Sequence, residues 1–166
     1  LEEALRDNLD DVIKLFGNSG SSSTNYIEYM SSSGDTDISD DFDVEITQAA
    51  THGAFTGDTA ANPGATPLTL TSDNNRLKIR VDGKLSDEII LEEKTYESAD
   101  ELIAEIQAKI DADSKIGSRG VSVEWVTIDD NTGYIVLESS TYGTGSKITM
   151  ETSISNSALT LLGLAS

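Results

Sequence analysis

Arg76-Leu-Lys-Ile-Arg-Val-Asp-Gly83 alternates apolar and polar residues and ends on an Asp-Gly pair. Leu77, Ile79 and Val81 fall on one face of a strand and Lys78 and Arg80 on the other. Asp82-Gly83 is a strong reversal signal, because the central positions of a tight hairpin turn need positive φ. Ile89-Ile-Leu91 continues as the returning strand, with Glu88, Glu92 and Glu93 placed to neutralise the basic strand across the pair. Ser98-Ala-Asp-Glu101 then opens a helix as a capping box. The Ser98 hydroxyl is expected to accept from the backbone N–H of Glu101, and the Glu101 carboxylate to reach back to the N–H of Ser98. Ala99, Leu102, Ile103, Ile106 and Ile110 form one apolar stripe behind that cap, and Glu105 precedes Lys109 by one helical turn. Each large aliphatic buried is worth about 1.5–3 kcal/mol, against about 1 kcal/mol for the cap. Packing holds this helix; the cap sets where it begins.

Beyond the helix, Val121, Val123 and Trp125 share a face, after which Val126 and Ile128 take the opposite parity. That switch predicts a bulge near Trp125 or a strand covered on both sides. Asp129-Asp-Asn-Thr-Gly133 reverses the chain, Ile135 and Leu137 restart the inward pattern, and Tyr134 reads as rim packing. Gly143-Thr-Gly145 lacks the third glycine of a dinucleotide loop and has no helix after it to hold a pyrophosphate. Ile148 and Met150 mark a last strand, and Ser157–Gly163 a short helical turn closed by its glycine. The predicted fold is α+β: antiparallel sheets with one amphipathic helix packed on a ββαβββ unit, plus an N-terminal helix.

That N-terminal helix is expected over residues 1–17, where Leu5, Leu9, Val12, Ile13 and Phe16 recur at helical spacing and Gly17-Asn18 stops them. Residues 18–41 read as a Ser/Gly-rich linker with a short strand at Tyr26-Ile-Glu-Tyr-Met30. The acidic run from Asp35 departs from a calcium loop, since Asp40 and Ile46 stand where the EF-hand needs Gly and Glu. It reads as a solvated turn. Residues 42–166 form the main domain, opening with the alternating strand Phe42-Asp-Val-Glu-Ile-Thr47. His52, the only histidine, lies in a weakly patterned Ala/Thr/Gly-rich stretch, with no second histidine for a zinc site and no spaced Ser/Asp trio.

The chain has 166 residues, 30 of them acidic against 11 basic, for a formal charge of −19. Such a field repels phosphate backbones and anionic headgroups, which argues against nucleic acid and membrane partners. Cysteine is absent, so there is no disulfide, thiolate metal site or thiol nucleophile. No apolar run approaches the roughly 20 residues of a membrane span. No cofactor or metal is expected. With Leu1 at the start and no signal peptide, the chain reads as part of a longer protein.

Three segments, taken in order, carry a likeness. Leu5 to Gly17, with Val12-Ile-Lys-Leu-Phe-Gly17, resembles a segment of the flagellar filament-capping (hook-associated protein 2) family. Phe42-Asp-Val-Glu-Ile-Thr-Gln-Ala-Ala-Thr51 resembles the segment that opens an outer domain in that family. The unit from Leu77 to Gly145, followed by Ala158-Leu-Thr-Leu-Leu-Gly-Leu164, is similar to a repeat found there and in flagellin outer domains. The resemblance implies an outer domain of a ring-shaped cap at the filament tip, exported through the flagellar channel, with flagellin and further cap copies as partners. Its long terminal coiled-coil helices have no counterpart here, where no sustained heptad pattern occurs. The expected function is therefore structural and not enzymatic. The alternative is an adhesin-like module for a host glycan or surface receptor, with Trp125, Tyr142, Tyr26 and Tyr29 as its candidate partner surface.

Overall fold

The computed structural model describes residues 48–165. The chain divides between Thr47 and Gln48, and the second unit holds all of the described residues. The expected N-terminal helix, the linker, the strand at Phe42–Thr47, and Tyr26 and Tyr29 lie outside them.

Before the helix come β1 (His52–Thr56), β2 (Ala60–Ala61), β3 (Leu68–Thr69), β4 (Arg76–Leu77), β5 (Ile79–Val81), β6 (Lys84–Leu85), β7 (Ile89–Ile90) and β8 (Thr95–Tyr96). After α1 (Ala99–Asp111) and a 3₁₀ turn (Gly117–Arg119) follow β9 (Val121–Thr127), β10 (Thr132–Tyr142) and β11 (Ile148–Met150). Every strand ladder is antiparallel, and α1 is the only α-helix among the described residues, so the class is α+β. β10 is the spine: β9 lies along one side, β1 and β2 along the other. β5 lies between β11 and β6, while β3–β8 and β4–β7 form separate two-stranded ladders.

The hairpin turns at Asp82-Gly83 as the sequence predicts, with φ of 49° and 80°, both positive as a type I′ turn requires. The single hairpin expected from Arg76 to Leu91 is, however, two ladders. Arg80 pairs with Leu85, but Leu77 pairs with Ile89, so the returning strand carries one extra residue between them. The buried Ser86 makes the adjustment: its hydroxyl, in place of its carbonyl, accepts from the N–H of Ile79 at 3.0 Å. Arg76 and Glu88 form the anticipated ion pair across the outer ladder.

At the start of α1 the N–H of Glu101 donates to the Ser98 hydroxyl at 3.2 Å, as expected. The reciprocal bond differs: the Glu101 carboxylate accepts from the N–H of Glu97, one residue earlier. Lys94 explains the shift, because its ammonium holds the other carboxylate oxygen at 2.8 Å and draws the side chain back along the chain. Leu102, Ile106 and Ile110 are buried from the helix, against Val123 of β9 and Ile135 and Leu137 of β10 among others. The C-terminal turn ends as its glycine foretells. Gly163 has φ of 69°, and the N–H of Leu164 reaches the carbonyl of Leu159 at 2.7 Å, a Schellman-type closure that buries Leu159, Leu162 and Leu164.

The parity switch after Trp125 has neither of its two expected causes. β9 and β10 stay in unbroken register from Val121–Ser139 to Thr127–Gly133, and Ile128 is 54% exposed, so among the described residues there is no bulge at Trp125 and no second layer over it. Val126 lies directly opposite Tyr134, and the two half-buried side chains shield each other on the outer face. An apolar cross-strand pair mimics the sequence signal of a covered strand.

Candidate functional site

Trp125 is half-buried on the inner face near one end of the sheet, where its ring lies over Gly133, diagonally across on β10. A Cβ placed on Gly133 would come within 2.5 Å of the indole, so the absence of a side chain there is what admits the ring. The indole N–H is buried, and among the described residues nothing accepts from it. Beside the ring runs an open groove of about 490 Å³ between β9 and the first turn of α1. Trp125, Thr127, Ile103, Asn62, Asp100 and Glu124 contribute to its walls, and among the described residues the last two are the only charged ones that do.

Gly133→Ala makes the ring move. A strand glycine ordinarily costs about 0.5–1 kcal/mol relative to alanine, yet here the overlap with the indole reverses that gain. Because Trp125 is the sole tryptophan, the emission spectrum reads the change directly. A shift to longer wavelength together with a lower denaturation midpoint is expected; unchanged emission would mean the ring does not depend on Gly133.

Tyr142 lies at the opposite end of β10. It is 63% exposed, and its ring contacts that of His52 with centroids 3.8 Å apart, tilted by 39°. His52 is oriented by an Nδ1–H donated to the carbonyl of Thr141 at 3.1 Å. Ile135, the residue paired with Trp125, precedes Tyr142 by seven positions on the same strand. At a rise near 3.3 Å per residue the two aromatics are separated by about 23 Å. Trp125 and Tyr142, grouped as one candidate surface from the sequence, therefore belong to two separate places.

The most connected polar group among the described residues is Asp82, which the sequence marks only as a turn residue. Its carboxylate accepts from the N–H of Lys147 at 2.9 Å and from the hydroxyls of Thr141 at 2.9 Å and Ser139 at 3.2 Å, with the Arg119 guanidinium 3.9 Å away. Burial alone would raise its pKa. The hydrogen bonds from Lys147, Thr141 and Ser139, with the charge of Arg119, outweigh that and hold it below the usual carboxylate range. One side chain thus ties the β5–β6 turn to the C-terminal end of β10 and to the segment entering β11.

Other carboxylates do similar work. Asp129 accepts from the N–H groups of Asn131 and Thr132, which lowers its pKa and closes the β9–β10 turn. Lys115 and Ser114 hold Asp87, lowering its pKa and joining the β6–β7 loop to the loop after α1. Gln107, also unmarked by the sequence reading, donates to the carbonyl of Val121 at 2.8 Å and accepts from the N–H of Val123 at 2.9 Å. It stands in for one residue of a neighbouring strand. No three His, Asp or Glu side chains converge on a metal-sized space among the described residues, and none of their helices is long and apolar enough to cross a membrane. Comparison of the chain with protein-family models, with characterised proteins and with solved structures gives no match.

Proposed function

We propose that this chain is an exposed, non-enzymatic structural domain of a bacterial flagellar filament cap, assisting flagellin assembly at the filament tip. The observation that carries the reading is the order of three resembling segments: Leu5–Gly17, Phe42–Thr51, and Leu77–Gly145 with Ala158–Leu164. In this reading the protein is exported through the flagellar channel, meets flagellin and other copies of itself in a ring, and carries a helix ahead of a ββαβββ unit. The chemistry of the described unit supports a scaffold role. Its carboxylates with lowered pKa, Asp82, Asp87, Glu101 and Asp129, are each occupied in holding loops or a helix end. Cells lacking the gene for this chain should export flagellin as monomers without elongating filaments; filaments of normal length in such cells would refute the proposal.

A second reading, an adhesin-like module for a glycan or surface receptor, is favoured by one observation: the 63% exposed Tyr142 ring held against His52. An aromatic face fixed in this way suits stacking on a sugar. Binding to a glycan array that disappears in Tyr142→Ala supports it, and silence across the array removes it.

A further inference from the structure

We propose that the edge of β9 at Trp125 and Thr127 is a strand-addition site for an extended, positively charged segment of another protein. This inference goes beyond the proposed function and does not depend on it.

Backbone direction is the starting point. In an antiparallel pair each residue points its N–H and C=O to the same side, and successive residues alternate. The Val121 carbonyl and the Val123 N–H are bound by Gln107, on the side away from β10. Trp125 and Thr127 share their parity and so aim their backbone groups outward too. The other face of the ladder agrees: Ile135, paired with Trp125, gives its carbonyl to the N–H of Gly57, on the β1 side of β10. Among the described residues, β10 is the only strand paired with β9, and nothing bonds the backbone of Trp125 or Thr127.

An open edge attracts another strand, and natural sheets blunt such edges. Here the blunting is partial. Gln107 covers the half of the edge nearer the C-terminal end of α1, while the half beside its N-terminal end borders the groove of about 490 Å³. An incoming strand would find backbone partners along Trp125 and Thr127 and an apolar floor at Trp125 and Ile103.

Charge selects the occupant. Asp100 and Glu124, both exposed, are among the described residues the only charged ones on the groove, and the whole chain carries −19. A lysine- or arginine-bearing segment is attracted, whereas a second copy of this chain brings the same negative field to the contact.

The test uses the full chain, isotopically labelled for amide NMR and hydrogen exchange. The probe is acetyl-Lys-Val-Lys-Val-Lys-amide, compared with its Glu-for-Lys counterpart and with a version whose central residue is proline. The basic peptide should shift the amide signals of Trp125 and Thr127 with a Kd on the order of 1 mM or tighter, and slow their exchange by about tenfold or more. The acidic and proline peptides should do neither. Thr127→Pro removes an outward N–H while leaving the β10 ladder intact, and should abolish the response. Should that variant fold poorly, Asp100→Lys with Glu124→Lys provides the second arm, because both side chains are exposed; it should reverse the preference toward the acidic peptide. Absence of any shift at Trp125 and Thr127, equal response to both charges, or undiminished basic-peptide binding in the double variant would each overturn the proposal. So would protection of these amides without peptide. If that protection grew with protein concentration it would assign the edge to a second copy, and otherwise to another part of the chain.

Discussion

Ile106→Ala is expected to destabilise the domain by about 2–5 kcal/mol, in the upper half of that range. Ile106 is wholly buried at the centre of the α1 stripe, between the equally buried Leu102 and Ile110. The cost of a truncation depends on whether its surroundings can close over the space. Here the floor is the β9–β10 sheet, where Val123 and Leu137 are held by a ladder of regular register and cannot drift upward without breaking backbone hydrogen bonds. A denaturant titration should show a lower midpoint at unchanged slope, since the area exposed on unfolding barely alters. A fall in Tm of about 10 °C is the thermal equivalent. Ile103→Ala is the control: Ile103 is only partly buried and borders the groove, so less than half the loss is expected. Equal losses from both would mean that α1 is held by its total apolar content and not by this contact.

Asp82 should produce the second large effect, and it has a pH signature. Asp82→Ala takes away the acceptor of the Lys147 N–H, which water can replace, and one of the two partners of the buried Ser139 hydroxyl, which keeps only Thr141, at about 1–3 kcal/mol in all. It also removes the short polar side chain that lets aspartate tolerate a φ of 49° better than alanine, so the turn itself is weakened further. Asp82→Asn keeps the turn preference and the shape but loses the charge, and should cost less.

Because the folded-state pKa of Asp82 lies below its unfolded value, its stabilisation is fully present above the unfolded pKa of about 3.9 and is lost as pH falls through the folded value. The wild-type advantage over Asp82→Asn should therefore be constant near neutrality and shrink below about pH 4. Protonating the other carboxylates of a chain with 30 acidic residues also relieves self-repulsion, which acts in the opposite direction. That contribution is common to both proteins and cancels in the difference. Unfolding free energies of the pair measured across this range decide the matter: a difference that stays constant into acid would show that the charge of Asp82 contributes nothing.

Where the sequence reading succeeds, the signals are short-range. Asp82-Gly83, Ser98 with Glu101, the Leu102–Ile106–Ile110 stripe and Gly163 each state their conformation within a few residues, and the structure has each of them. The reading falters where a partner comes from elsewhere. The capping-box carboxylate moves to Glu97 because Lys94 claims one of its oxygens. The parity switch at Val126 reflects a residue opposite it on another strand. The extra residue near Ser86 appears only once both arms of the hairpin are laid side by side.

The candidate surface shows the same division. Spacing places Trp125 on a strand and Tyr142 where the strand pattern breaks, but only the length of β10 between them shows that they are two sites and not one. Gln107 reads in sequence as an ordinary polar helix residue, and becomes an edge cap because α1 brings it to Val121 and Val123.

By itself, then, the sequence determined the class of the domain, the position of its helix and the places where the chain reverses. Those follow from backbone preference and from burying one face of each element, both local properties. Tertiary structure alone decided that Asp82 meets Lys147, 65 residues away, that Gly133 makes room for Trp125, and that Gln107 covers only the half of the β9 edge at Val121 and Val123. Such meetings depend on strand register accumulated through several turns, where one extra residue changes every partner that follows.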